Sequence, residues 1–77
     1  MTTILEGPPR AILSALVEAQ DAGRTAPSLG DLAAVAGLPA NSRVRYYLLV
    51  LSDRRLIDGA VTRRPTAAGR LALGCVA

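Results

Sequence analysis

Residues 27–57 read PSLGDLAAVAGLPANSRVRYYLLVLSDRRLI, and their punctuation decides the fold. Ser28 carries the side-chain oxygen of a helix N-cap, and Asp31, three positions on, answers it as a weaker form of the capping box. Leu29, Leu32, Val35 and Ala36 supply the buried face of the helix that begins there. Gly37 can adopt the left-handed conformation that ends such a helix, Leu38 folds back as the hydrophobic contact, and Pro39 bars continuation. The helix is therefore short. Asn41 or Ser42 caps the next one, over residues 41–53, whose core residues Val44, Leu48 and Leu51 recur at i, i+4 and i+7 with Tyr47 bordering the stripe. Ser42, Arg45, Tyr46 and Leu49 project from its other side, and Arg43 lies at the flank. The small residues Ala33 and Ala36 permit close approach of the helices.

Upstream, Pro8 and Pro9 suit a first helical turn, where a missing N–H costs nothing. Ile12, Leu13, Leu16 and Val17 then share one stripe, Ser14, Glu18 and Asp21 face solvent, and Gly23 stops the helix. Thr25, Ala26 and Pro27 form an extended connector. Downstream, Leu56-Ile57 and Ala60-Val61-Thr62 read as two short strands around a tight type I′ turn at Asp58-Gly59. Pro65-Thr66 starts a last helix through Ala67, Gly69, Arg70, Leu71 and Leu73. The predicted architecture is mainly α with a small β-hairpin: a three-helix core, the hairpin, and a C-terminal helix. It occupies residues 8–73, between an N-terminal arm (1–7) and a C-terminal tail (74–77).

Seventy-seven residues leave room for one domain, and a chain this short buries only about 60% of the surface its unfolded form exposes. Hydrophobic residues make up 51% of it but only two residues are aromatic, so Leu, Val, Ile and Ala must build the interior. No stretch is long and apolar enough to span a bilayer, and the start, MTTILEGPPR, lacks the basic segment and apolar run of a signal peptide. The expectation is a cytoplasmic protein with no membrane partner. Cys75 has no second cysteine for an intramolecular disulfide and reads as a tail residue of no special role. With no histidine and one cysteine, the usual zinc ligand sets and Cys-His or Ser-His nucleophile pairs cannot be assembled. Glycine patterns for cradling phosphates or dinucleotides are missing too, so neither enzymatic activity nor a cofactor or metal is expected.

Charge is informative by position. From Asn41 to Arg70 seven arginines face two aspartates, a balance of +5, whereas residues before Asn41 carry two arginines against four acids, a balance of −2. The second half is built to meet an anion. Two short helices joined by a glycine-containing turn, the second followed by a hairpin, form an arrangement that presents the second helix to a DNA major groove.

Here the sequence resembles the winged helix-turn-helix superfamily, in particular the DNA-binding domain of LexA-type repressors. PSLGDLAAVAGL is similar to that family's second helix and turn, and NSRVRYYLLVLSDRRLI to its recognition helix and entry into the wing. The ending RRPTAAGRLAL is similar to the last strand and closing helix of MarR-like regulators. One departure is Arg55, which stands where these families usually carry a glycine just before the wing. Nothing in the chain resembles the LexA self-cleavage domain. The resemblance implies that Ser42, Arg43, Arg45 and Tyr46 face base edges, with Ala40 and Asn41 at the helix entrance and Asn41 counted among the base readers. It implies phosphate contacts from Arg54, Arg55, Arg63 and Arg64, and from Ser28 beside its role as a cap. Arginine suits base reading because its planar fork donates two hydrogen bonds to guanine O6 and N7. Tyr46 is either a base or sugar contact or an ordinary exposed aromatic.

The function expected is thus sequence-specific binding of double-stranded DNA by a transcriptional regulator, a repressor, at a bacterial nucleoid or in a phage-infected cell. One alternative is a protein-interaction module, with a homodimer or protein partner held through Leu49 and Val50 or through the termini. Another is an architectural DNA-binding factor in recombination.

Overall fold

In the computed structural model the described residues are 7–39, 41–59 and 63–73. Most of the predicted arm, Ala40 at the helix entrance, the predicted strand residues Ala60, Val61 and Thr62, and the tail with Cys75 lie outside them. Four helices follow in order: α1 (Pro8–Asp21), α2 (Leu29–Ala36), α3 (Asn41–Asp53) and α4 (Ala67–Ala72).

Each boundary has a local cause. The prolines occupy the first positions of α1, and Gly23, at φ +70°, ends it. There the Arg24 N–H donates back to the Ala19 carbonyl at 2.9 Å, satisfying a carbonyl that the last turn would leave open. The Ser28 hydroxyl accepts the Asp31 N–H at 3.2 Å and starts α2. Gly37, at φ 69° and ψ 30°, closes α2 with a 2.8 Å bond from the Leu38 N–H to the Ala33 carbonyl. α3 already begins at Asn41, so Asn41 and Ser42 lie within the helix and neither is the cap expected from the sequence.

α1 packs on α2 and α3, and α2 packs on α3, so each of the three touches the other two. Ile12, Leu13 and Leu16 of α1, Leu32 of α2, and Val44, Leu48 and Leu51 of α3 meet in the centre, with Leu56 and Ile57 closing one side. Burying one such aliphatic side chain contributes about 1.5–3 kcal/mol. One predicted core residue is turned outward: Val35 is 58% exposed. At about 100° per residue, Leu29, Leu32, Ala33 and Ala36 share an arc of about 100°, and Val35 falls about 60° beyond it. Ala33, being small and buried, takes the inner position where α2 approaches its neighbours.

The chain reversal after α3 also differs from the sequence expectation. Asp58 and Gly59 do not form a type I′ turn, because Asp58 lacks the positive φ such a turn requires. They lie within the paired segment instead. Ile57 forms an antiparallel bridge with Pro65, the Asp58 N–H donates to the Arg64 carbonyl at 2.7 Å, and the Arg63 N–H donates to the Gly59 carbonyl at 3.0 Å. This register places Ile57 and Pro65, both buried, opposite one another. Burial of that pair prevails over the local turn preference of Asp-Gly. The bridge is the only β-pairing among the described residues.

α4 docks through its first turn. The Thr66 hydroxyl accepts the Gly69 N–H at 3.0 Å and donates to the Arg55 carbonyl at 2.8 Å, while the Thr66 N–H donates to the Leu56 carbonyl at 3.1 Å. Gly69 is buried against that same carbonyl, so closely that a Cβ there would overlap it.

Candidate nucleic-acid interface

Burial of Val44, Leu48 and Leu51 leaves the rest of α3 outside the core. Asn41, Ser42, Arg43, Arg45 and Tyr46 are all exposed. By helical geometry Ser42, Tyr46 and Leu49 form the crest of the outer face, Arg45 and Arg43 lie on its two flanks, and Asn41 sits nearest the core side. Tyr46 is 59% exposed and meets Tyr47 edge-to-face, with ring centroids 5.3 Å apart. Tyr47 packs against the core and so anchors the more exposed ring. Leu49 is 61% exposed, whereas Val50 is half-buried. No acidic side chain lies on α3 before Asp53 at its end.

Arg54 and Arg55 follow directly and are exposed. Arg55 adopts a left-handed backbone, φ 59°, and the Leu56 N–H donates back to the Leu51 carbonyl at 2.9 Å. This is the helix-ending geometry that glycine ordinarily provides, held here by a residue that has a Cβ. Arg63, at φ 52°, also takes a left-handed backbone, on the return segment. A left-handed backbone costs a non-glycine residue roughly 1–2 kcal/mol. Thr66 fastens the first of the two through the Arg55 carbonyl. Sequence reasoning assigned Thr66 only to the start of a helix; its signal was a threonine three positions before the helical Gly69.

The remaining arginines divide. Arg64 is exposed, while Arg63 is half-buried, and its Nε is buried without a hydrogen-bond partner. Arg70 spends its guanidinium within the molecule. It meets Asp21 Oδ1 at 2.6 Å and Oδ2 at 3.3 Å, and Gln20 Oε1 at 2.6 Å, tying α4 to the end of α1. Arg10 reinforces the same join by donating to the Leu73 carbonyl at 3.1 Å. The hydrogen bond from Arg70 holds the Asp21 carboxyl below its ordinary value of 3.8, against a smaller desolvation effect, with the arginine's charge adding to the lowering. Arg70 therefore leaves the set of cations that could face an external anion. Ser28 stands exposed at the start of α2, its hydroxyl engaged as a cap.

Among the described residues there is no group of His, Cys, Asp and Glu that could hold a metal ion, and no helix long and apolar enough to cross a membrane. Comparison with known proteins finds no matching family model, curated protein or solved structure.

Proposed function

We propose that this chain is a winged helix-turn-helix domain that binds double-stranded DNA and regulates transcription as a repressor, by binding rather than by catalysis. The observation that carries this reading is the two-sidedness of α3. Val44, Leu48 and Leu51 are buried, and the exposed side holds Asn41, Ser42, Arg43, Arg45 and Tyr46 with no acid among them. A helix held this way can enter a major groove with its N-terminal half foremost. Arg43 and Arg45, on either flank, can then reach guanine edges, while Asn41, Ser42 and Tyr46 contact neighbouring bases or sugars. Arg54 and Arg55 beyond the helix, Arg63 and Arg64 on the return segment acting as a short wing, and Ser28 at the start of α2 contact phosphates and fix register. So small a domain reads few base pairs, which calls for two copies or a second protein at the site.

Affinity for duplex DNA measured against salt tests this reading. With about four to six phosphates neutralised, log affinity falls against log salt with a slope near −4 to −5. Leu49 supports a second reading, a protein-interaction surface, because an apolar residue 61% exposed stands on the crest of α3. Failure to bind any duplex at low salt, together with a mass above that of the monomer, would decide for that second reading.

A further inference from the structure

A cavity of about 330 Å³ opens between the connector that follows α1 and the return segment that leads to α4. Leu16 and Ala19 of α1 and the buried Pro65 form its floor, and Arg24, Arg63 and Arg64 line it. No acidic side chain is among its described lining residues, and Asp31 belongs to an adjoining hollow instead. Three arginines thus line one apolar-floored space, with no acid among its described lining residues.

A second observation points to what fills it. Arg63 is the half-buried member of the three, and its Nε is the atom left buried without a partner. The Nε–H is one arm of the planar fork with which arginine grips two oxygens of one anion. A buried donor without an acceptor is rare in folded proteins unless a water or ligand completes it. The left-handed backbone at Arg63, φ 52°, holds the side chain at this place at a conformational cost.

We infer that this cleft is a phosphoryl-binding site, with Arg63 as the central ligand and Arg24 and Arg64 as its flanking cations. The cavity exceeds the size of a bare ion, so the group it takes is a phosphoester, the phosphoryl oxygens against the arginines and the attached sugar or alkyl part over Leu16, Ala19 and Pro65. That phosphoester is either a backbone phosphate of bound DNA or a free organic phosphate. Only the first source rests on the DNA-binding reading. Arg24, on the connector, thereby joins Arg63 and Arg64 in a phosphate contact that the sequence reading did not assign to it.

Nuclear magnetic resonance of the full chain tests this in two arms. In the first, inorganic phosphate is titrated against chloride at matched ionic strength. The Arg63 Nε–Hε signal and the backbone amides of residues 24–26, 63 and 64 shift saturably with phosphate, and the affinity falls about tenfold in Arg63→Lys, which keeps the charge but loses the fork. Arg24→Ala, at an exposed position, weakens binding in the same direction and guards against misfolding as the cause. Shifts no larger than those chloride produces, or unchanged affinity in both variants, would overturn the inference. In the second arm a DNA duplex replaces phosphate. Movement of the cleft signals together with those of residues 41–49 identifies the DNA backbone as the source, and movement with phosphate alone identifies a free phosphate. Movement of residues 41–49 without the cleft would remove the DNA backbone as its ligand while leaving DNA binding intact. If residues 41–49 stay still with duplex while phosphate still moves the cleft, the DNA reading fails and the cleft stands.

Discussion

Arg55 concentrates two opposing demands at one position. The end of α3 calls for a left-handed residue, and the backbone there has φ 59°, yet the position holds an arginine, a proposed phosphate contact, instead of the glycine that would fit without strain. If stability has been given up for binding here, Arg55→Gly raises stability by about 1 kcal/mol and weakens affinity for every duplex sequence alike. Urea unfolding and fluorescence anisotropy measure the two effects, and a less stable glycine variant would show that the Arg55 backbone is not strained. Gly69 presents the reverse case. Alanine there gains about 1 kcal/mol of helix propensity but forces a Cβ into the Leu56 carbonyl. The overlap prevails, and Gly69→Ala costs about 1–3 kcal/mol in thermal or urea unfolding. An unchanged midpoint would mean that α4 does not pack as closely as described.

At the scale of elements, what was legible in the sequence was set by local chemistry. The caps of α2, the Gly37 turn and the i, i+4, i+7 stripe of α3 each depend on residues within one or two turns of one another, and all three are legible in the sequence alone. The outward face of α3 followed from that stripe. The misread features depend on distant partners. In α2 the segment LGDLAAVA is apolar at six of eight positions, so periodicity could not tell that Ala33 faces inward and Val35 outward. The reversal register answers to burial of Ile57 against Pro65, eight residues away, which outweighs Asp-Gly turn chemistry. The fates of Arg70 and Arg63 were illegible for the same reason, since one partner lies 49 residues off and the other's burial is a property of the assembled cleft. The join between α4 and α1 gives a prediction of its own. Asp21 has its carboxyl lowered by Arg70, so the join contributes fully above the ordinary Asp value of 3.8 and loses its contribution as pH falls through the lower folded value. Asp21→Asn therefore separates from the parent in urea midpoint at neutral pH and converges with it in acid. A gap that persists unchanged to pH 2 would contradict this account of the pair.

At the scale of the molecule, helices packed around an aliphatic core hold one helix with its charged side outward, and basic residues follow it on both strands of the reversal. Most of the described acids are placed elsewhere or at the helix ends: Asp21 is engaged by Arg70, Asp31 follows the cap of α2 and Asp53 ends α3, while Asp58 is the acid on the reversal itself. Such a distribution steers a polyanion towards one side of a small protein and makes affinity salt-dependent. Salt dependence alone does not distinguish a reader of sequence from a general polyanion binder, because phosphate contacts carry no sequence information. The distinction rests with Arg43 and Arg45. The most direct measurement is the ratio of affinities for a duplex selected from a random pool and for its scrambled counterpart, in the parent chain and in the Arg43→Ala, Arg45→Ala double variant. Each lost guanine contact removes about 1–3 kcal/mol of discrimination, so the ratio collapses towards one while binding to the scrambled duplex changes much less. An unaltered ratio in the double variant would contradict the claim that α3 reads DNA.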